Sequence, residues 1–282
     1  MAKDQEFFVE DAVHEMAQQN AESVLSLETN QGKRIISSYT KIRQELRDRL
    51  DKLPSGTFTA QKMSATLAQL ELAIDGMGKA LNRDIKSGSR ILAETGVEDL
   101  IKELEKWNKV LTGAIQPINL KAVEIAADTS KFLFNRYDSS LETYNSAIRS
   151  KMAQSLTESV IAQDQTSEVI SRLGKVFLGE EWKLEQITRT ELHNVYSQGK
   201  LKGMMNLWNE GEGKIPDLKK TLYHRMDKRT GRDSIELNRN NPIVPVDEPF
   251  VESSLGYEVS YMAPPNRPND RAILIPYRDA WK

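Results

Sequence analysis

The 282-residue chain carries 39 Lys+Arg against 41 Asp+Glu, a net charge of −2, with 39% hydrophobic residues and no cysteine. The length suits one large or two modest domains and the apolar content suffices for a core, while the absence of cysteine excludes a disulfide framework, a Cys-ligated zinc or Fe–S centre and a thiol nucleophile. No run approaches the roughly 18–20 apolar residues of a membrane span, the opening residues lack the apolar core of a signal peptide, and so small a net charge gives no global pull toward nucleic acid; the expectation is a soluble chain made in a reducing compartment.

The balance hides an asymmetry. Residues 1–181 hold 23 basic and 27 acidic side chains, whereas residues 182–282 hold 16 and 14. Only Pro54 and Pro117 precede residue 200, and the other eight of the ten prolines lie between Pro216 and Pro276. Proline breaks helix interiors, so the fold class expected is α+β. A mostly α-helical bundle or hairpin region over residues 1–180 precedes a small C-terminal α+β domain over 181–282.

In chain order, Ile35, Tyr39, Ile42, Leu46, Leu50 and Leu53 fall three and four apart, one stripe of a helix that Pro54-Ser55-Gly56 stops. Met63, Leu67, Leu70, Ile74, Met77 and Leu81 form a second stripe, with Gly76 and Gly78 weakening the helix by up to about 1 kcal/mol each. Val97, Leu100, Leu104, Trp107 and Leu111 make a third that ends near Pro117, and Tyr137, Leu141, Tyr144, Ile148 and Met152 a fourth. Each spans under about three heptads, which favours a self-contained antiparallel bundle over an intermolecular coiled coil. A short helix from Thr166 is expected to close at Gly179, and a longer one to run from Trp182 to Trp208. After the Gly211-Glu212-Gly213 connector, Thr221–Arg225, Ile243–Val246, Gly256–Met262 and Ala272–Tyr277 read as short strands, with turns at Arg229–Asp233 and Asn238–Pro242.

Chemistry is sparse. His14, His193 and His224 have no partner at metal-ligand spacing, and no Walker loop, G-x-G-x-x-G or G-x-S-x-G occurs. A nuclease can be sketched from Glu191, His193, His224 and Arg225, but residues two apart on a helix diverge by about 200°, so Glu191 and His193 are not expected to share a site. One basic stretch stands out. Lys219, Lys220, Arg225, Lys228, Arg229, Arg232 and Arg239 face only Asp227, Asp233 and Glu236. Clustered cations of this kind neutralise phosphates, and Lys219, Lys220, Arg225, Lys228, Arg229 and Arg232 are the candidate DNA contacts. The competing reading is a solvated turn whose charges pair with neighbouring acids.

Four blocks in the last ~95 residues resemble the phage Mu protein F-like domain of minor head, or head morphogenesis, proteins. They are Ile187-Thr188-Arg189-Thr190-Glu191 followed by Tyr196 and Gly199; Asp227-Lys228-Arg229-Thr230; Val244-Pro245-Val246-Asp247-Glu248-Pro249-Phe250; and Pro264-Pro265-Asn266-Arg267-Pro268-Asn269-Asp270-Arg271-Ala272. The chain departs from the family where relatives often carry cysteine, at Gly231, Ser234, Asp270 and Ala272, and Arg267 stands in place of the usual histidine. No metal or other cofactor is therefore expected.

The resemblance implies a non-enzymatic virion component, present in few copies inside the head near the portal vertex and in the host cytoplasm during assembly. Its implied partners are the portal protein or the major capsid protein, and packaged double-stranded DNA. Such proteins act in head assembly or accompany DNA packaging and ejection. The rival class is a nucleic-acid-processing enzyme or toxin whose active module is the C-terminal domain. The motif residues Arg189, Thr190, Glu191, Asp227, Arg229, Thr230, Asp247, Phe250, Pro265, Pro268 and Arg271 are expected to hold the fold. Arg189 would tie its helix to the Asp227–Thr230 turn, Glu191 would satisfy donors in a nearby loop, Asp247 would accept N–H bonds in its own turn, and Phe250 would plug the core or a sheet edge.

Overall fold

The structure is a computed structural model, described for residues 2–112, 118, 120–209, 215, 217–224, 232–240, 242–253, 256–265, 267 and 270–279. Within these, side chains are described except at 2–14, 110–112, 122–123, 130, 132–138, 140, 209, 233 and 238. Four long helices come first: α1 (Ala2–Leu50), α2 (Ala60–Thr112), α3 (Ala122–Ile161) and α4 (Thr166–Asn209). Then follow β1 (Leu218–Tyr223), α5 (Arg232–Asn240), β2 (Val244–Pro245), β3 (Phe250–Glu252), β4 (Val259–Tyr261) and β5 (Ile273–Arg278). The class is α+β.

The helices run longer than their stripes predict. α1 begins 33 residues before Ile35, α2 joins the second and third stripes across residues 82–96, and α4 passes Gly174 and Gly179 without a break. A helical glycine costs only about 1 kcal/mol relative to alanine. The buried face of α4 stays in phase across both glycines, at Val169, Leu173, Phe177 and Leu184, and packing outweighs propensity. The expected boundary at 180/181 thus falls inside a continuous helix.

By packing the chain forms two compact units, Asn30–Ser87 with Phe134–Thr188, and Met1–Thr29 with Gly88–Leu133 and Arg189–Lys282. The first is an up-and-down four-helix bundle. Its core holds Ile35, Tyr39, Leu46, Ile74, Leu81, Ile148 and Phe177, all buried, and Tyr39 donates to the Phe177 carbonyl at 2.8 Å. Both connectors at one end are tied together. Phe58 N–H donates to the Asp164 carbonyl at 2.8 Å, Thr166 N–H donates to Gly56 O at 3.0 Å, and Thr57 and Gln165 form an antiparallel bridge. Gly56 sits at φ +97°, which glycine alone adopts without strain. Glu168 accepts from the Gln165 N–H at 2.8 Å, the reciprocal arm of a helix N-terminal box. Of the fourth stripe, Tyr137 lies outside the described side chains, as does Leu111 of the third.

The second unit carries the sheets. β1 lies between β2 and β5, both antiparallel to it, with six residue pairs from Leu218↔Arg278 to Tyr223↔Ile273. β3 and β4 make a separate hairpin, Phe250 opposite Tyr261. β1 starts three residues before the expected strand. α5 fills the gap between the two expected turns and overlaps both, a helix that its one buried apolar residue, Leu237, gives no periodic signal for. The Gly211–Gly213 connector, Pro117 and Arg225 lie outside the described residues.

Candidate functional site

The sheet unit is organised on the last five turns of α4. Gly199 is required there: a Cβ at this position would lie 2.5 Å from the Ala93 carbonyl oxygen, and one at Gly96 would lie 2.3 Å from Tyr196 O. α2 and α4 therefore cross backbone to backbone. Beside this crossing, α4 turns a polar stripe into the interior at His193, Tyr196 and Lys200, spaced three and four apart on one face. Tyr196 Oη donates to Asp99 at 3.0 Å. Lys200 Nζ donates to Glu103 Oε1 at 2.5 Å, and Asn20 of α1 donates to the same oxygen at 2.6 Å. Burial pushes the Glu103 carboxyl up, against the pull of Lys200 and Asn20.

His193 links three elements. Its Nδ1 lies 2.6 Å from Glu28 Oε1 of α1 and its Nε2 lies 2.7 Å from the Ala272 carbonyl, just before β5. With acceptors on both ring nitrogens, the imidazole is set to be doubly protonated. Burial alone would draw its pKa down, but Glu28, the Ala272 carbonyl and Asp270 overcome it and hold the pKa up at about 9. The gap beside it, lined by Val24, Glu28, His193, Arg271 and Ile273 among others, is about 10 Å³, the room of one water at most. No substrate could enter there.

His224, just past the end of β1, is buried, and neither ring nitrogen has a hydrogen-bond partner among the described residues. Burial lowers its pKa, with Asp270 acting to raise it and Arg267 to lower it. Arg267 Nη2 donates to Ser234 Oγ of α5 at 2.9 Å, and Asp270 Oδ1 accepts from the Ala272 N–H at 3.1 Å. Arg267 thus bonds Ser234 on α5, and its charge acts together with that of Asp270 on the buried imidazole. Among the described residues no group of three His, Asp or Glu side chains is arranged to hold a metal ion.

The other expected residues separate. Arg189 and Thr190 are half-buried and Glu191 is buried on α4. Phe250 is fully buried, its ring 5.9 Å from that of Tyr261. Pro265 follows a cis peptide and is half-buried, as is Arg271. Asp247 is a correction: it is exposed and makes no bond to its own turn among the described residues, the turn being closed by Glu248 N–H to Pro245 O at 3.2 Å. Asp227, Arg229, Thr230 and Pro268 lie outside the described residues, and with them the Arg189–Asp227 tether.

Of the DNA candidates, Arg225, Lys228 and Arg229 also lie outside them. Arg232 is exposed on α5, and Lys219 pairs with Asp279 at 2.6 Å. Lys220 is a second correction. It occupies the inward register of β1 between Leu218 and Leu222, which strand alternation buries. Its ammonium donates to the Met262 carbonyl at 2.9 Å and lies 5.2 Å from the centre of the Phe250 ring. Burial draws its pKa down to about 8, opposed by the charges of Asp247 and Glu248. It cannot meet a phosphate from there.

Glu28, Asp99, Glu103 and Lys200 carry the interior polar network and were missed as site residues. The signal for Lys200 is legible in retrospect, since it sits seven residues after His193 on the stripe shared with Tyr196. No family model, no curated protein and no solved structure matches this chain. No described helix is long and apolar enough to cross a membrane.

Proposed function

We propose that this protein is a minor head (capsid) protein of a tailed bacteriophage, associated with the portal vertex and acting in head assembly, with DNA packaging or ejection as the stages it accompanies. One observation carries the reading. Arg267 and Asp270, at positions where Mu F-like proteins often have histidine and cysteine, both act electrostatically on His224, and Arg267 bonds Ser234, a third such position 33 residues away. A chance likeness of short blocks has no reason to link these three departures in space. The remaining blocks support the same reading through burial: Glu191 and Tyr196 on α4, and Phe250 in the core.

Without cysteine at those positions, the domain is held by packing, hydrogen bonds and buried charge pairs. Its role is then to present surfaces to the portal or capsid protein. The test is the composition of intact particles: the chain is expected there in few copies and in a complex with the portal protein after gentle disruption. Its absence from particles would overturn the proposal. So would metal-dependent cleavage of DNA or RNA by the purified chain that is lost in His224→Ala.

A further inference from the structure

We infer that Lys200 and Asn20 are the partners of an intramolecular isopeptide bond, formed by the chain itself with Glu103 as the proton carrier, which joins α1 covalently to α4. The ion pair of Lys200 with Glu103 is the state in which the chain folds, and the bond forms from it afterwards. All three residues belong to the sheet unit.

This chemistry needs a nucleophilic amine, a carboxamide carbon and an acid–base group that can serve both the attacking and the leaving nitrogen. Here all three meet at one oxygen. Lys200 Nζ donates to Glu103 Oε1 at 2.5 Å, and Asn20 Nδ2 donates to the same oxygen at 2.6 Å. Two atoms that share one hydrogen-bonding oxygen lie within about 5 Å of each other, and Asn20 Cγ is one bond from Nδ2. A side-chain rotation then suffices to bring Cγ toward Nζ, and groups held this way react as if at very high concentration.

The surroundings favour the reactive protonation state. An ammonium has no lone pair to attack with, so a proton must first leave it. Lys200 is fully buried and Glu103 is 1% exposed, and Glu103 Oε2 has no hydrogen-bond partner among the described residues. Leu100 and Leu104 flank Glu103 on α2, Leu201 and Met204 flank Lys200 on α4, and all four lie in one buried apolar core. A carboxylate with a bare oxygen in such a place is costly, and burial drives it toward its neutral form. One proton passed from Nζ to Oε1 turns the ion pair into a free amine and a neutral acid. Asn20, by contrast, is half-buried, which leaves ammonia a way out.

The step balances. Once the first proton is on Oε1, the Nζ lone pair attacks Cγ and the carbonyl π pair moves onto Oδ1. As that pair returns, the Cγ–Nδ2 bond breaks and Oε1 hands its proton to the departing nitrogen. Oε1 then takes a second proton from Nζ. One C–N bond has formed and one has broken, ammonia has left, and Glu103 ends as the neutral acid. No oxidant, reductant or cofactor is consumed. The bond closes the chain from residue 20 to residue 200, the kind of constraint that a disulfide supplies and that this cysteine-free chain lacks.

The full chain is incubated at neutral pH, denatured, and its intact mass measured. Expected is a mass below that of the sequence by one ammonia, with a branched tryptic peptide in which Lys200 is joined to Asn20 and the Lys200–Leu201 bond is uncut. Glu103→Gln, Lys200→Arg and Asn20→Ala should each keep their full sequence mass. An unmodified wild type would overturn the inference. So would ammonia loss that persists in Lys200→Arg or that comes without the branched peptide, which would place it in a cyclic imide at an asparagine. The branched peptide is read on the wild type alone, so the test stands even where a variant misfolds.

Discussion

Lys200 and Glu103 form an ion pair with a 2.5 Å contact, and both side chains are essentially inaccessible to solvent. Removing two charges from water is costly, and such a pair is sustained by geometry and by further hydrogen bonds, here from Asn20. Truncating one partner leaves the other buried and uncompensated. Lys200→Met is therefore expected to destabilise the protein by about 3–5 kcal/mol, whereas Lys200→Met with Glu103→Leu should recover most of that loss. Urea unfolding of the two single variants and the double closes the cycle. A double variant as unstable as the worse single would show that the pair acts through something other than its charges.

Glycine has opposite meanings at two helical positions. At Gly199 a methyl group would collide with the Ala93 backbone at 2.5 Å, whereas at Gly76 it would meet nothing within 4 Å. Gly199→Ala should cost about 1–3 kcal/mol by forcing α2 and α4 apart. Gly76→Ala should gain about 0.5–1 kcal/mol from helix propensity and from a less flexible unfolded chain. The difference in thermal midpoint between the two variants measures how strictly the crossing needs its glycine.

Stability should depend on pH in two opposed windows. Between pH 6.5 and about 9 folded His193 keeps a proton that the unfolded chain has lost, so its contribution is complete below 6.5 and is lost as pH rises to 9. At about 1.4 kcal/mol per pH unit this is about 3 kcal/mol. Lys220 acts the other way: between about pH 8 and 10.5 the folded amine has lost a proton that the unfolded chain retains, so stability rises with pH there. Denaturant unfolding at stepped pH should show the fall vanish in His193→Gln and the later rise vanish in Lys220→Met. A His193→Gln protein with the wild-type slope below pH 8 would remove the imidazolium from the account.

The helical half was legible because its stripes repeat every three or four residues, and Tyr39, Ile74, Ile148 and Phe177 all lie in the bundle core. What periodicity could not give was continuity. Gly179 reads as a helix end because propensity is local, whereas the packing that carries α4 through it is tertiary. The interior polar network was hidden for a related reason. Glu28, Glu103 and Lys200 are residue types that normally mark a surface, and only their long-range partners, 165 and 97 residues away, bury them. His193 read as an isolated histidine for the same reason, since neither Glu28 nor Ala272 is near it in sequence.

The basic stretch can now be tested with a control inside it. Lys219 and Arg232 retain accessible side chains, while Lys220 is sealed beneath Phe250 and Met262. If the stretch contacts double-stranded DNA, each phosphate contact contributes close to one unit to the slope of log affinity against log salt. Lys219→Ala with Arg232→Ala should then flatten that slope by up to about 2. Lys220→Met should leave it unchanged, because a buried ammonium releases no counterion. Fluorescence anisotropy with a labelled duplex at stepped salt gives both slopes. Equal slopes for wild type and the double variant would return Lys219 and Arg232 to the solvated-turn reading, with Lys219 serving its pair with Asp279.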